Sequence, residues 1–174
     1  TLIRIVLTNR GPERAPLHVL PTLWFRNTWS WGCTEEGCDL RPRLRRTDAW
    51  RIAVDEPSLG PFEWSLERVR DGEVEQLYTE NDSNLERLWG VSNPAAYVKD
   101  AFHERVVHGR TTAVNPALVG SKAAWWVRLS LEPGESRTLS LRLRPASSSK
   151  RPAFGVGFER EWKARQAEHD SFYR

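Results

Sequence analysis

Two stretches of the 174-residue chain carry side chains whose types and spacing could do chemistry. The first is Lys99-Asp100-Ala101-Phe102-His103. On a helix, His103 falls three and four residues after Asp100 and Lys99, so the three would share one face. An Asp–His pair can perform general acid–base work. No Gly-x-Ser-x-Gly nucleophile motif accompanies it, and the same residues serve equally as a local cap and salt-bridge cluster. The second stretch is Leu17-His18-Val19-Leu20-Pro21-Thr22-Leu23-Trp24-Phe25-Arg26-Asn27-Thr28-Trp29-Ser30-Trp31-Gly32. Pyranose rings offer an apolar C–H face to aromatic side chains and a rim of hydroxyls to groups such as Arg26 and Asn27. Trp24, Trp29 and Trp31 therefore suit a sugar, although buried tryptophans filling a sheet core would read the same way.

Other candidates are weaker. Asn81-Asp82-Ser83-Asn84 could present hydroxyl-binding groups, yet Asn, Asp and Ser gather at turns and helix caps for backbone reasons alone. Arg41-Pro42-Arg43-Leu44-Arg45-Arg46, near Trp29 and Trp31, raises a nucleic-acid-binding domain as an alternative, since arginine and aromatic side chains together can neutralise phosphates and stack bases. Against it stands a formal net charge of only +3 from 26 basic and 23 acidic residues, and the cluster reads as a solvated loop. No nucleic-acid partner is expected. Cys33 and Cys38 are the two cysteines; a structural zinc site wants four ligands, so no metal and no cofactor are expected, and a local disulfide and two free thiols both stay open. Glu35-Glu36 and Glu159/Glu161 offer no carboxylate pair in an apolar setting of the kind glycoside hydrolysis needs. No catalytic residue is assigned.

The elements that must position these residues are mostly strands. Leu2–Leu7, the turn signal Asn9-Arg10-Gly11-Pro12 and Ala15–Phe25 read as a hairpin, with Pro21 at an edge or bulge. Residues 27–48 read as one long loop. Trp50–Val54, Phe62–Val69 and Glu75–Thr79 alternate with period two, the last two joined by Asp71-Gly72 as a tight hairpin. Asp82 or Ser83 could cap a short helix through Leu88, and Lys99–Val107 could form another. Ala123–Leu131 and Arg137–Leu143 are two further strands around the hairpin turn Glu132-Pro133-Gly134-Glu135. Ser147–Pro152 is linker-like, and Phe158–Tyr173 reads as a helix without a C-terminal cap. The predicted fold is mainly β, an antiparallel β-sandwich with short helices and a C-terminal linker helix. No apolar run approaches the ~20 residues of a membrane span. The expectation is a soluble chain, of the cytoplasm, without a membrane partner.

Taken in order, Leu2-Ile3-Arg4-Ile5, Thr8-Asn9-Arg10-Gly11-Pro12-Glu13, the Trp-rich segment His18–Gly32, Thr79-Glu80-Asn81-Asp82-Ser83-Asn84, Val98–His103, Val114-Asn115-Pro116 and Gly120-Ser121-Lys122-Ala123-Ala124 resemble bacterial glucosidase-like proteins of glycoside hydrolase family 63, relatives of mannosyl-oligosaccharide glucosidase. The resemblance implies an N-terminal β-sandwich, residues 1–146, followed by a linker and the start of a helix, 147–174, leading to an (α/α) toroid catalytic domain outside this chain. It implies more sequence before Leu2, an inverting reaction whose acid and base lie in the toroid, and a chain inactive alone. The partners implied are that toroid and an oligosaccharide. Trp24, Arg26, Asn27, Trp29, Trp31, Lys99, Asp100 and His103 are the residues expected to face substrate or interface, with Trp24 and Phe25 in the core and Trp29 and Trp31 the more exposed pair. A stand-alone carbohydrate-binding module is the alternative. The segment from Cys33 to Arg46 matches no motif.

Overall fold

The computed structural model describes residues 1–32, 36 and 40–173. Cys33 and Cys38 lie outside the described residues. Among the described residues ten strands form two antiparallel sheets packed face to face, the predicted sandwich: β1 Leu2–Thr8, β2 Ala15–Val19, β3 Thr22–Trp24, β4 Arg43–Asp48, β5 Arg51–Glu56, β6 Gly60–Leu66, β7 Glu73–Thr79, β8 Val119–Gly120, β9 Lys122–Leu131 and β10 Ser136–Pro145. One sheet has the order β1-β10-β6-β5-β4-β8; in the other, β9 is central, with β7 on one side and β2 and β3 on the other. Helices α1 Leu85–Trp89 and α2 Ala101–Val106 fall between β7 and β8, and α3 Val156–Phe172 follows β10.

The core lies between the sheets. Period-two patterning turns Leu44, Ile52, Val54, Trp64, Leu66, Leu139 and Leu141 of the larger sheet toward Tyr78, Ala123, Trp125, Val127 and Leu129 of the smaller. The rings of Trp64 and Trp125 meet at 4.2 Å across the gap. Strand β9 is buried over most of its length because its other face is covered too, where Leu77, Ala124 and Trp126 pack with Phe102 of α2 and with Val114.

Three predicted hairpins are absent. β1 pairs with β10 while β2 pairs with β9; β6 pairs with β5 and β10 while β7 pairs with β9; β9 and β10 lie in opposite sheets. Each turn signal is locally right: Asp71 and Gly134 have positive φ, at 52° and 75°, and the Asn9 side chain closes its turn onto the amide of Gly11 at 2.9 Å. A tight reversal, however, can lead back alongside the same sheet or arch to the facing one. Here the apolar faces of the two arms find partners across the core, so the turns arch. The sequence turns that do join paired strands are β4–β5 and β5–β6.

Two further expectations are corrected. Residues 43–48 are strand β4 and not loop: Leu44 is fully buried, while Arg43 and Arg45 on the opposite face reach Glu80 and Asp55. The run Ala15–Phe25 is interrupted at Leu20-Pro21. The interruption keeps register, since Val19 faces Val127 and Thr22 faces Ala124, so Pro21 sits on a sheet edge with no bulge.

α3 spans the predicted C-terminal helix. The segment before it is tied to the sandwich by Arg144, which donates to the carbonyl of Arg151 at 2.6 Å, and by Arg142, which donates to that of Ala153 at 3.1 Å. Arg144 is itself buried and paired with buried Glu63 at 2.8 Å. The first turns of α3 lie on Arg4, whose guanidinium sits 4.8 Å from the Trp162 ring and 5.5 Å from that of Phe158 and pairs with Glu159. No helix among the described residues is long and apolar enough to cross a membrane.

Candidate functional site

Four of the segments singled out in the sequence meet at one end of the sandwich, where β3 and β7 finish and β8 hands over to β9. The handover is abrupt, for Gly120 ends β8 in the larger sheet and Lys122 begins β9 in the smaller. A Cβ on Gly120 would lie 2.2 Å from the carbonyl oxygen of Thr79, so only glycine lets the two chains approach this closely. Ser121, between them, is fully buried. Its hydroxyl donates to Glu80 Oε2 at 2.5 Å and accepts from the amide of Asn81 at 2.9 Å.

Asp82 is the hub. It is 1% exposed, and its Oδ1 accepts from Asn27 Nδ2 at 2.8 Å and from the indole Nε1 of Trp29 at 3.0 Å. Its Oδ2 has the Arg41 guanidinium at 3.8 Å, which also lies 5.2 Å from the Trp29 ring, and its backbone carbonyl accepts from the amide of Lys99 at 3.0 Å. Asn27 accepts from the amide of Ser30, turning the chain so that the Trp29 indole swings under it. Asn81 Nδ2 donates to the carbonyl of Phe25 at 2.8 Å. Glu80 is paired with Arg43 at 2.6 Å. One compact network therefore fixes residues 25–30, 41–43, 80–82, 99 and 121 relative to one another. Glu80 Oε1, Glu80 Oε2 and Asp82 Oδ1 are taken up by protein donors, while buried Asp82 Oδ2 has no hydrogen-bond partner and only the Arg41 charge at 3.8 Å, so the network is suited to holding surfaces in place.

The exposed groups stand beside this hub. Trp24 and Trp31 are 55% and 59% exposed, Arg26 is exposed, and its guanidinium lies 4.7 Å from the Trp31 ring. The expected division is thus corrected: Trp24 and Trp31 are the exposed pair, and Trp29 is half-buried on Asp82. Trp24 faces Lys122 across the sheet, on the outward side of β3, while Leu23 and Phe25 pack on the core. Lys122 donates to the carbonyl of Lys99 at 2.7 Å and sits 4.4 Å from the Phe102 ring. Burial, with Lys99 nearby, holds its ammonium below the ordinary lysine range, partly offset by Asp100.

The Lys99–Asp100–His103 face does not form. α2 starts at Ala101, so Lys99 and Asp100 precede it. The Asp100 carboxylate accepts from Asn84 Nδ2 at 3.1 Å and pairs with Arg87 at 3.3 Å, while the exposed His103 ring lies edge-on to His108 at 5.3 Å. Asn84, not Asp82 or Ser83, caps α1, accepting from the amide of Arg87. Sequence reasoning placed Asp82 among caps and missed Glu80, Arg41 and Ser121. The signal was the shared membership of Glu80, Asp82 and Ser121 in the stretches that carry the family resemblance. Among the described residues no three His, Cys, Asp or Glu side chains gather as a metal would require.

No protein-family profile matches the chain, and no solved structure matches it. It is similar to the uncharacterized protein YMR196W of Saccharomyces cerevisiae, 35% identical over 156 residues, covering 78% of this chain. The chain spans 14% of the length of that relative.

Proposed function

We propose that this chain is the non-catalytic N-terminal β-sandwich of a glucosidase-like protein resembling glycoside hydrolase family 63, packing on an (α/α) toroid and lining one wall of its oligosaccharide cleft. The observation that supports the reading is the convergence of the Trp-rich segment, Glu80–Asp82, Lys99 and Ser121 on one end of the sandwich. A buried polar network that joins five separate segments fixes a surface, and the surface it fixes carries Trp24, Arg26 and Trp31. In this reading the chemistry belongs to the toroid, and the sandwich contributes shape and aromatic area.

A second reading is a self-sufficient carbohydrate-binding module, favoured by the exposure of Trp24 and Trp31 beside Arg26. Calorimetric titration of the chain with gluco- and manno-oligosaccharides separates the two. The support-domain reading expects no saturable heat, because one wall of a cleft gives too little contact. Micromolar binding that disappears in Trp24→Ala or Trp31→Ala would replace it with the module.

A further inference from the structure

The outer face beside the Asp82 hub has a repeating order. Leu23 and Phe25 pack on the core, so Trp24 and Arg26 stand outside, and both are exposed. The Arg26 guanidinium lies 4.7 Å from the ring of exposed Trp31. On the other side, Trp24 is the cross-strand partner of Lys122, whose ammonium donates to the carbonyl of exposed Lys99. Trp31, Arg26, Trp24 and Lys122 therefore form a row in which ring and cation alternate, with Lys99 at its end.

The charged groups of this row can only donate, because arginine and lysine side chains carry no acceptor. The acids of this end are engaged elsewhere. Glu80 is held by Arg43 and Ser121, buried Asp82 by Asn27 and Trp29, Asp100 by Asn84 and Arg87, and Glu56 by the amides of Ser58 and Leu59 in its own turn. Lys122 meets a carbonyl and the Phe102 ring, not a carboxylate. Burial and then neighbouring Lys99 lower its ammonium, and Asp100 offsets only part of that.

A neutral sugar offers hydroxyls, each of which donates as well as accepts, so a row of donors leaves the hydroxyl protons unmatched. A carboxylate only accepts, and a guanidinium takes it with two parallel bonds. The rings between the cations suit the apolar C–H face of a pyranose. We infer that this row takes an oligosaccharide of hexuronic acid units, with sugar rings on Trp24 and Trp31 and carboxylates on Arg26 and the Lys99–Lys122 pair. The inference rests on the reading of this end as a carbohydrate-facing surface and names the class of sugar.

Indole N–H correlation spectra of the whole chain test it, with signals assigned through Trp24→Phe and Trp31→Phe. On titration with tri-galacturonate the Trp24 and Trp31 signals should move and saturate in the millimolar range, while that of Trp29, held on Asp82, stays still. Maltotriose, and sodium sulfate at equal ionic strength, should leave all three in place. Arg26→Gln and Lys122→Gln should each weaken the uronate about threefold, the size of one exposed ion pair, with the Trp29 signal reporting that the fold is kept. No movement with the uronate, or equal movement with sulfate or maltotriose, overturns the inference. Stronger movement with a thymidine oligonucleotide overturns it in favour of a nucleic acid. The support-domain reading fails on a different result, micromolar heat from neutral oligosaccharides, so the two failures are distinguishable.

Discussion

Asp82 does what a single buried carboxylate can do when its donors come from different segments. It holds Asn27 and Trp29 at one oxygen while its own backbone receives Lys99, so one residue joins three segments: the loop after β3, the end of β7 and the approach to α2. Removing it leaves the Trp29 indole without an acceptor and the Asn27 amide with only the Asn81 carbonyl at 3.3 Å, and an unpaired donor at a part-buried position costs ~1–3 kcal/mol. Asp82→Ala should therefore lose about 3 kcal/mol in urea unfolding and shift the emission of Trp29. A loss below ~0.5 kcal/mol, the range of ordinary surface changes, would show that the network does not organise this end. The arginines of the former loop tell the same story. Arg41 and Arg43 look free in sequence, yet each is drawn to a carboxylate that only the fold brings near.

At the scale of elements, α3 buries little for its 17 residues: Phe158 is its only buried residue, and Trp162 is half-buried. A helix with so narrow an apolar contact depends on what grips that contact. Arg4 supplies the grip by stacking against Phe158 and Trp162 and pairing with Glu159, while Arg142 pairs with Glu161. Arg4→Ala removes a stacking contact and a half-exposed ion pair, together worth about 1 kcal/mol. Amides in the first turns of α3 should then exchange about fivefold faster, with those of β9 unchanged. Unaltered protection across 158–164 would mean that the arginine ties at Arg142 and Arg144 hold the helix alone.

The whole molecule behaves as one sandwich with its titratable groups unevenly buried. Tyr78 is fully buried in the core and donates to Gln76 at 2.7 Å, and burial pushes its phenol well above the usual 10.0. The sign is fixed by linkage. Above pH 10 the unfolded chain releases the phenol proton while the folded chain keeps it, so folding stability falls as pH rises. Lys122 acts oppositely. Its ammonium is held below 10.5, so stability from this group rises between its folded value and 10.5. Tyr78→Phe isolates the tyrosine contribution: urea unfolding from pH 8 to 11 should show a shallower alkaline decline in the variant than in the wild type. Parallel curves would mean that the phenol is solvated in the folded chain.

Read alone, the sequence determined what depends on neighbours along the chain. Alternation in Trp50–Val54 and Phe62–Val69 and the apolar run Ala123–Leu131 named strands, Asp71-Gly72 and Pro133-Gly134 named the reversals, and the uninterrupted run Phe158–Tyr173 named the helix. Together these were enough for a mainly β sandwich. Tertiary structure decided which strands pair, because a turn fixes a reversal and not the sheet to which the chain returns. It also decided that Arg43–Asp48 is a strand, since only Leu44 in that run is apolar enough to signal one and its charges are neutralised by distant residues. Above all it decided the site. Asp82 reads as a cap residue, Trp29 as one of three similar tryptophans, and Ser121 as an ordinary serine. Their meeting at one buried oxygen network is a property of segments about 40 to 55 residues apart, and no local pattern encodes it.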